Sequence, residues 1–246
     1  MIDPSAAESQ SRVEQAHKGL PRWFEVPAAI VGIILTSPLL AIAAAGIALE
    51  SRGGIVFRQV RVGLDGRPFT LYKFRTMAPS SGKPGVTSRT DARITRIGRV
   101  LRRRKIDELP TLWNVLRGEM ALVGPRPEVP RYVDRHDQSW SEILSTRPGL
   151  TDPVTIYLRN EEDLLSSVPH DPENWYREYL LPYKVSNYRE YLVRRTPWSD
   201  LGVICSTLLA VVLPARAPAP SISEIVRKTT RSLRELFKGK VASRAG

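Results

Sequence analysis

The chain has 246 residues, 42% of them hydrophobic, and a formal charge of +12 from 37 Lys/Arg against 25 Asp/Glu. A single cysteine, Cys205, excludes an internal disulfide framework and a thiolate metal site, and His17, His136 and His170 show no metal-ligand spacing. Such a length suits one domain with its own core, and such a charge favours anionic partners: nucleic acid, acidic headgroups or phosphorylated substrates.

Residues 1–22 read as a polar lead-in. From Val26 to Leu49 there is no charge, and at about 1.5 Å per residue a straight helix there is long enough to cross a hydrocarbon core of about 30 Å. Ser37-Pro38 interrupts it. Pro38 has no N–H, which frees the carbonyl of Ile34 for the hydroxyl of Ser37 to take up. Three courses compete: a kinked span, a cleaved signal ending near Ala41–Gly46, and a helix that enters and leaves on one face. Arg12, Lys18 and Arg22 before the stretch, and Arg52, Arg58, Arg61, Arg67, Lys73 and Arg75 after it, favour both ends on the cytosolic side and argue against export. Trp23 and Phe24 read as an interfacial anchor.

"GIVFRQVRVGLDGRPFTLYKFRTM" predicts a β-hairpin around Asp65-Gly66, with Phe69, Leu71, Lys73 and Arg75 on one face that starts apolar and ends cationic. Ala78 to Arg93 reads as a turn-rich mobile loop. Ile94, Ile97, Gly98 and Leu101 recur at helical spacing among Arg96, Arg99, Arg102, Arg103 and Arg104, predicting a basic amphipathic helix. A second helix is expected from Asp107 to Leu116, with Asp107 as its N-cap and Pro110 in its first turn, so that the helix dipole favours an ionised Asp107-Glu108 pair. Further helix is expected over Tyr176–Val193, and Leu201–Leu213 is too short to span and reads as a buried or interfacial helix. After the Pro/Ala linker, Ile222, Ile225, Val226, Leu233, Leu236 and Phe237 line one side of a basic helix suited to an anionic membrane, or else belong to a solvated tail.

Adjacent acids are commonly just capping residues. Beside so many arginines they also suit phosphoryl chemistry, with one carboxylate as nucleophile and the other as an oxygen ligand for Mg²⁺.

Taken in order, the Ser-Pro pair, "FRQVRVGLDGRPFTLYKFRTM", "IDELPTLWNVLRGEMALVGPRP" and "RPGLT" resemble the bacterial sugar transferase family, the monotopic polyprenyl-phosphate phosphoglycosyl transferases, over about Trp23 to Leu213. The resemblance implies an α+β, predominantly helical, monotopic membrane protein with a re-entrant helix broken at Ser37-Pro38, a β-hairpin and amphipathic interfacial helices. Its expected organisation is a lead-in (1–22), a membrane helix (23–50), a cytosolic catalytic domain (51–213) and a basic tail (214–246), as in the short, single-domain form. The implied reaction moves a sugar-1-phosphate from a nucleotide sugar, expected to be a UDP-sugar, to undecaprenyl phosphate with release of UMP, at the cytosolic face of the bacterial inner membrane.

Carried over, Asp107 is the nucleophile that forms a covalent phosphosugar, and Glu108 the acid associated with Mg²⁺. Lys73, Arg102 and Arg126 are phosphate-contacting cations, with Arg61, Arg75 and Arg147 as weaker candidates for substrate binding. Membrane lipids are further partners, and a homodimer is compatible with the family. Two departures stand out: "RPGLTDPVTIYLRNEEDL" where many members have "RPGITGWAQV", and Tyr188 where many carry an acid. Other readings are a membrane-tethered nucleic-acid binder using Arg99–Lys105, which lacks interleaved aromatics, and a catalytically idle scaffold, which the intact Asp107, Glu108, Lys73 and Arg126 oppose. No nucleic-acid partner is expected.

Overall fold

The computed structural model describes residues 19–78, 91–168, 171–213 and 220–231. Most of the lead-in, most of the expected loop over Ala78–Arg93, and Leu233, Leu236 and Phe237 lie outside these residues.

Helix α1 runs from Arg22 to Glu50 and contains Pro27 and Pro38. Among the described residues it is the one helix long and apolar enough to cross a membrane. The sequence predicts an interruption at Pro38, and the structure meets it locally. Ser37 Oγ donates to the freed Ile34 carbonyl at 2.8 Å, Thr36 Oγ1 donates to Gly32 at 2.6 Å, and the helix continues as one element.

Both ends of α1 rest on the same folded body. Near the start, the buried Glu25 accepts from the Leu122 amide at 2.9 Å, and Ala29 packs with Leu112, Val115 and Met120. Near the end, Ala43 and Ile47 pack with Phe74 and Leu101. There Glu50 accepts from the amides of Arg96 and Ile97 at 2.6 and 2.9 Å, capping a helix distant in sequence. Between these anchors Val31, Ile34, Leu35 and Ile42 form an exposed apolar face.

Strands β1 (Val56–Val62) and β2 (Pro68–Phe74) pair antiparallel in the register Val56↔Phe74 to Val62↔Pro68. The reversal is a short 3₁₀ turn, Leu64–Gly66, in which Asp65 and Gly66 take left-handed φ of 55° and 72°. Helix α2 (Arg96–Arg103) follows, capped by the Thr95 side chain, with Leu101 buried. Next come a 3₁₀ turn (Ile106–Thr111) and the five-residue helix α3 (Leu112–Leu116). β3 (Ala121–Val123) pairs parallel with β4 (Gly149–Thr151) in the register Ala121↔Gly149 and Val123↔Thr151. Immediately beyond this pair, a β-carbon on Gly149 would lie 2.1 Å from the Gly124 amide nitrogen, so "VGPRP" and "RPGLT" are contact partners that need glycine at the crossing.

The remainder is helical: α4 (Gln138–Leu144), α5 (Pro153–Tyr157), α6 (Glu161–Ser166), α7 (Pro172–Trp175) leading through a wider turn (Tyr176–Leu180) into α8 (Leu181–Arg194), and α9 (Pro197–Val212). The architecture is therefore mostly helical with small sheets, in keeping with the expected α+β class. Helix α9 buries Val203 and exposes Trp198, Leu208, Leu209 and Val212, so it is a surface helix with an apolar outer face.

The tail corrects one expectation. In helix α10 (222–231) Ile225 and Thr229 are fully buried, Thr229 Oγ1 donates to the Tyr179 carbonyl at 2.9 Å, and the Tyr157 hydroxyl donates to Glu224 at 3.0 Å. Its apolar stripe covers the core of the domain and is not free to lie on lipid.

The α8–α9 corner carries a buried ion pair. Arg195 donates to Asp200 at 2.9 Å, to the Val123 carbonyl at 2.7 Å and to Thr146 at 3.1 Å, while Asp200 also accepts from Tyr191 and from the Leu20 amide. Asp200→Ala strands a guanidinium in the interior and is expected to cost roughly 3–5 kcal/mol, whereas the double replacement Arg195→Met with Asp200→Leu restores most of it. Chemical unfolding in detergent compares the two; equal losses would refute the pairing argument.

Candidate active site

Among the described residues, the edge of β2 away from β1 has no strand partner. Asn114, fully buried, replaces one: its side chain accepts from the Tyr72 amide at 3.1 Å and donates to the Thr70 carbonyl at 2.7 Å. Thr111 Oγ1 donates to the Tyr72 carbonyl at 3.0 Å. In this way "DELPTLWN" is stitched along β2, and the segment holding Asp107 and Glu108 is fixed beside Lys73.

The carboxylate of Glu108 is the hub. Lys73 Nζ lies 3.1 Å from Oε1, and Arg126 donates to Oε2 at 3.0 Å and to Oε1 at 2.5 Å, a two-pronged grip from the loop after β3. Burial works against its charge, but Arg126, Lys73 and Lys105 hold Glu108 well below the usual carboxylate range. The Lys73 ammonium is brought down to about 8 by burial and by Arg126, against the pull of Glu108 and Asp107.

Asp107 contrasts with its neighbour. It is buried, and its Oδ1 has no hydrogen-bond partner among the described residues. Burial and the adjacent Glu108 push its pKa up, while Lys73, Lys105 and Arg102 pull it down. The expected N-cap does not form. Lys105, left-handed at φ 57°, precedes the turn, Asp107 makes no capping bond, and the segment winds as a 3₁₀ turn before a helix of only five residues. Burial and the neighbouring side-chain charges, Glu108 foremost among them, and not a helix dipole, therefore set the electrostatics of Asp107.

These residues open on a cavity of about 1160 Å³, lined among the described residues by eleven lysines and arginines against five carboxylates. Arg102 lies on the wall but pairs with Glu162 at 2.7 Å. Arg61 donates to the Pro127 carbonyl at 2.8 Å and lies 3.9 Å from Glu128. Arg75 reaches the cavity rim, yet its terminal nitrogens donate to the carbonyls of Ser51 and Arg52 at 2.8 and 2.7 Å, so it clamps the link between α1 and β1. Arg147 does not line the cavity; its backbone carbonyl crowds Gly124 at the β3–β4 crossing, where the Arg-Pro-Gly run serves the chain path.

The structure adds residues that sequence reasoning passed over. Lys184, almost fully buried, lies 2.9 Å from Glu161 and 3.7 Å from Glu128, and the Tyr176 hydroxyl donates to Glu128 at 2.7 Å. Lys184, Tyr188 and Tyr191 recur at i, i+4 and i+7 on α8, a helical-face signal present in the sequence. Tyr188 is buried on the cavity wall, with its hydroxyl pKa raised by burial and by Asp152.

Among the described residues, no three acidic, histidine or cysteine side chains converge into an all-protein metal site. The unpartnered Asp107 oxygen beside Glu108 fits Mg²⁺ as that ion is usually bound, by one or two carboxylates plus substrate phosphates.

The profile of the family described as bacterial sugar transferase matches residues 16–214. A UDP-glucose:undecaprenyl-phosphate glucose-1-phosphate transferase of Caulobacter vibrioides is 47% identical over 193 residues, covering 76% of this chain and 67% of its own. An uncharacterised sugar transferase of Bacillus subtilis, EpsL, is 33% identical over 221 residues, 89% of this chain and 96% of its own. A UDP-N-acetylgalactosamine-undecaprenyl-phosphate N-acetylgalactosaminephosphotransferase of Aeromonas hydrophila is 38% identical over 160 residues, and this chain covers only 38% of its length.

The two acids are expected to separate in stability measurements. Glu108→Ala leaves Lys73 and Arg126 unpaired and costs about 3 kcal/mol, near the lower end for broken buried pairs because all three side chains keep some solvent contact. Asp107→Asn removes a charge whose ionisation burial opposes, so unfolding midpoints stay level or rise. A large loss in Asp107→Asn would contradict this account of the site.

Proposed function

The chain belongs to the bacterial sugar transferase family, and from that premise we propose that it transfers a sugar-1-phosphate from a UDP-sugar to undecaprenyl phosphate and releases UMP. The observation that carries this reading is Asp107: a buried carboxylate oxygen without a donor, in a cationic cavity large enough for a nucleotide sugar. A carboxylate deprived of hydrogen bonds is a stronger nucleophile than a solvated one.

In the first displacement an Asp107 oxygen bonds to the phosphorus that carries the sugar, and the bond from that phosphorus to the bridging oxygen breaks, with its electrons leaving on UMP. In the second, an oxygen of undecaprenyl phosphate bonds to the same phosphorus and the Asp107 carboxylate departs, regenerating the enzyme and leaving a sugar diphospholipid. Lys73 and Arg126 orient Glu108 and present positive charge to the phosphoryl oxygens. Glu108 and Asp107 would hold Mg²⁺, which when bound neutralises phosphate charge. The low exposure of Asp107 keeps water from the acyl phosphate formed in between.

The same reading puts the active site at the cytosolic face of the inner membrane, with α1 re-entrant. Contacts of both α1 ends with one domain, and the exposed apolar faces of α1 and α9, support a helix that returns to the side it came from.

Detergent-solubilised protein with a panel of UDP-sugars, undecaprenyl phosphate and Mg²⁺ is expected to release UMP, and Asp107→Asn to lower that release to below a few per cent while nucleotide-sugar binding persists. Substantial turnover in Asp107→Asn removes the nucleophile from Asp107. For topology, a cysteine introduced as Ser5→Cys on a Cys205→Ser background is expected to stay protected from an impermeant thiol reagent in intact cells. Labelling there would mean a spanning helix.

A further inference from the structure

Helix α10 lies beyond residues 16–214, the stretch that matches the family profile, and the transfer reaction does not call on it. Its residues are nevertheless built into the domain. Ile222, Ile225, Val226 and Thr229 recur at i, i+3, i+4 and i+7, and this face is turned inward, with Ile225 and Thr229 buried, while Ser223, Arg227 and Thr230 are exposed. The Ser221 hydroxyl accepts from the Glu224 amide at 3.2 Å and caps the helix.

The surface under α10 is the back of one wall of the active-site cavity. In and just after α5, Thr155 and Leu158 line the cavity, whereas the Tyr157 hydroxyl between them lies 3.0 and 3.1 Å from the two carboxylate oxygens of Glu224. In α6, Glu161 and Leu165, one turn apart, line the cavity, whereas Leu164 shares a surface groove with Ile222 and Val226. In α8, Lys184 and Tyr188 line the cavity, whereas the Tyr183 ring has Lys228 Nζ 5.6 Å from its centroid. The helical period thus gives each of the three helices one face toward the cavity and another toward α10.

Two of these helices are very short. α5 has five residues and α6 has six, and helices of that length are held by what packs against them rather than by their own hydrogen bonds. On the cavity side α6 meets charge, Glu161 with Lys184 at 2.9 Å and Glu162 with Arg102 at 2.7 Å. Apolar backing comes from the other side, where the fully buried Ile225 belongs to the same core cluster as Val154 and Leu165.

We propose that α10 braces the active site from behind: Glu224 and Ile225 are positioning residues that hold the α5–α6 wall and thereby fix where Glu161 and Glu162 place Lys184 and Arg102 in the cavity. The brace itself does not depend on the identity of the substrate. Its effect on turnover rests on the transfer reaction proposed above.

Hydrogen exchange on the full chain in detergent tests the brace without turnover. Ile225→Asp puts a carboxylate into the core and is expected to speed amide exchange across residues 153–166 at least about tenfold, while the β1–β2 hairpin, residues 56–74, exchanges as in the parent. Should Ile225→Asp lose its fold, Ile225→Ala carries the same comparison. Unchanged exchange across 153–166 overturns the proposal. An equal rise in both segments also overturns it, because α10 would then contribute only to global stability. The Glu224 variants read position through kinetics: Glu224→Ala, which removes the acceptor of the Tyr157 hydroxyl, is expected to raise KM for the UDP-sugar at least about threefold, and Glu224→Gln, which keeps an acceptor, to restore it. Equal KM values in the parent and both variants overturn the link to the cavity. A parent protein whose exchange across 153–166 depends on Ile225, but which releases no UMP from any UDP-sugar, would count against the transfer reaction and leave the brace standing.

Discussion

Glu108 accepts simultaneously from Lys73 on β2 and from Arg126 in the loop after β3, and most of the catalytic domain can be read as the scaffold that makes this meeting possible. β2 needs β1 on one edge and the side chains of Asn114 and Thr111 on the other. The Arg126 loop needs the parallel β3–β4 pair and the glycine crossing beneath it. A carboxylate with both oxygens engaged by fixed cations has little freedom, and its neighbour in the chain inherits that rigidity. Asp107 is thus positioned precisely by contacts it does not itself make.

The membrane-facing helix is tied into the same construction. Glu50 at its C-terminal end caps α2, whose Arg102 lies on the cavity wall, and Arg75, two residues after Lys73, clamps the carbonyls of Ser51 and Arg52 just past the helix. At its other end Glu25 and the Leu20 amide bind the β3 and α9 regions. A displacement of α1 relative to the domain would be felt at β2 and at α2 together. That coupling makes the packing of the long apolar helix and the geometry of the cavity a single structural unit.

Local rules made part of this legible in the sequence. The hairpin follows from Asp65-Gly66 and its flanking alternation, the repair of the proline gap by Ser37 from the missing N–H, and the apolar-to-cationic face of β2 from strand period, with Leu71 in the core and Lys73 at Glu108. The errors came where tertiary packing decides. An aspartate before a proline-containing turn looks like a cap, yet the turn is 3₁₀ and Asp107 faces the cavity. Arg147 looks like a phosphate ligand within a Pro-Gly motif, yet that run is spent on backbone crossing. The stripe of α10 has the pattern of a membrane helix because a helix that covers a core has the same pattern. Lys184, Glu128 and Glu161 come from three distant segments, and only the fold brings them together.

The charge of the chain also acquires a local meaning. A cavity lined by cations would repel its own walls if each cation stood alone, and here most of them are held by an acid: Arg102 by Glu162, Lys184 by Glu161, Lys73 and Arg126 by Glu108, Arg61 by Glu128, Arg93 by Asp91 and Arg131 by Glu173. These pairs keep the domain stable without substrate, and they also reduce what remains to attract one. A phosphorylated substrate must therefore share the paired cations or use those left unpaired. Asp107 is the converse case: a carboxylate with an unsatisfied oxygen costs the fold roughly 1–3 kcal/mol, and the same lack of donors leaves that oxygen open to a group bound in the cavity. Two adjacent acids thus take opposite parts, one with both oxygens held by cations and the other with an oxygen left open.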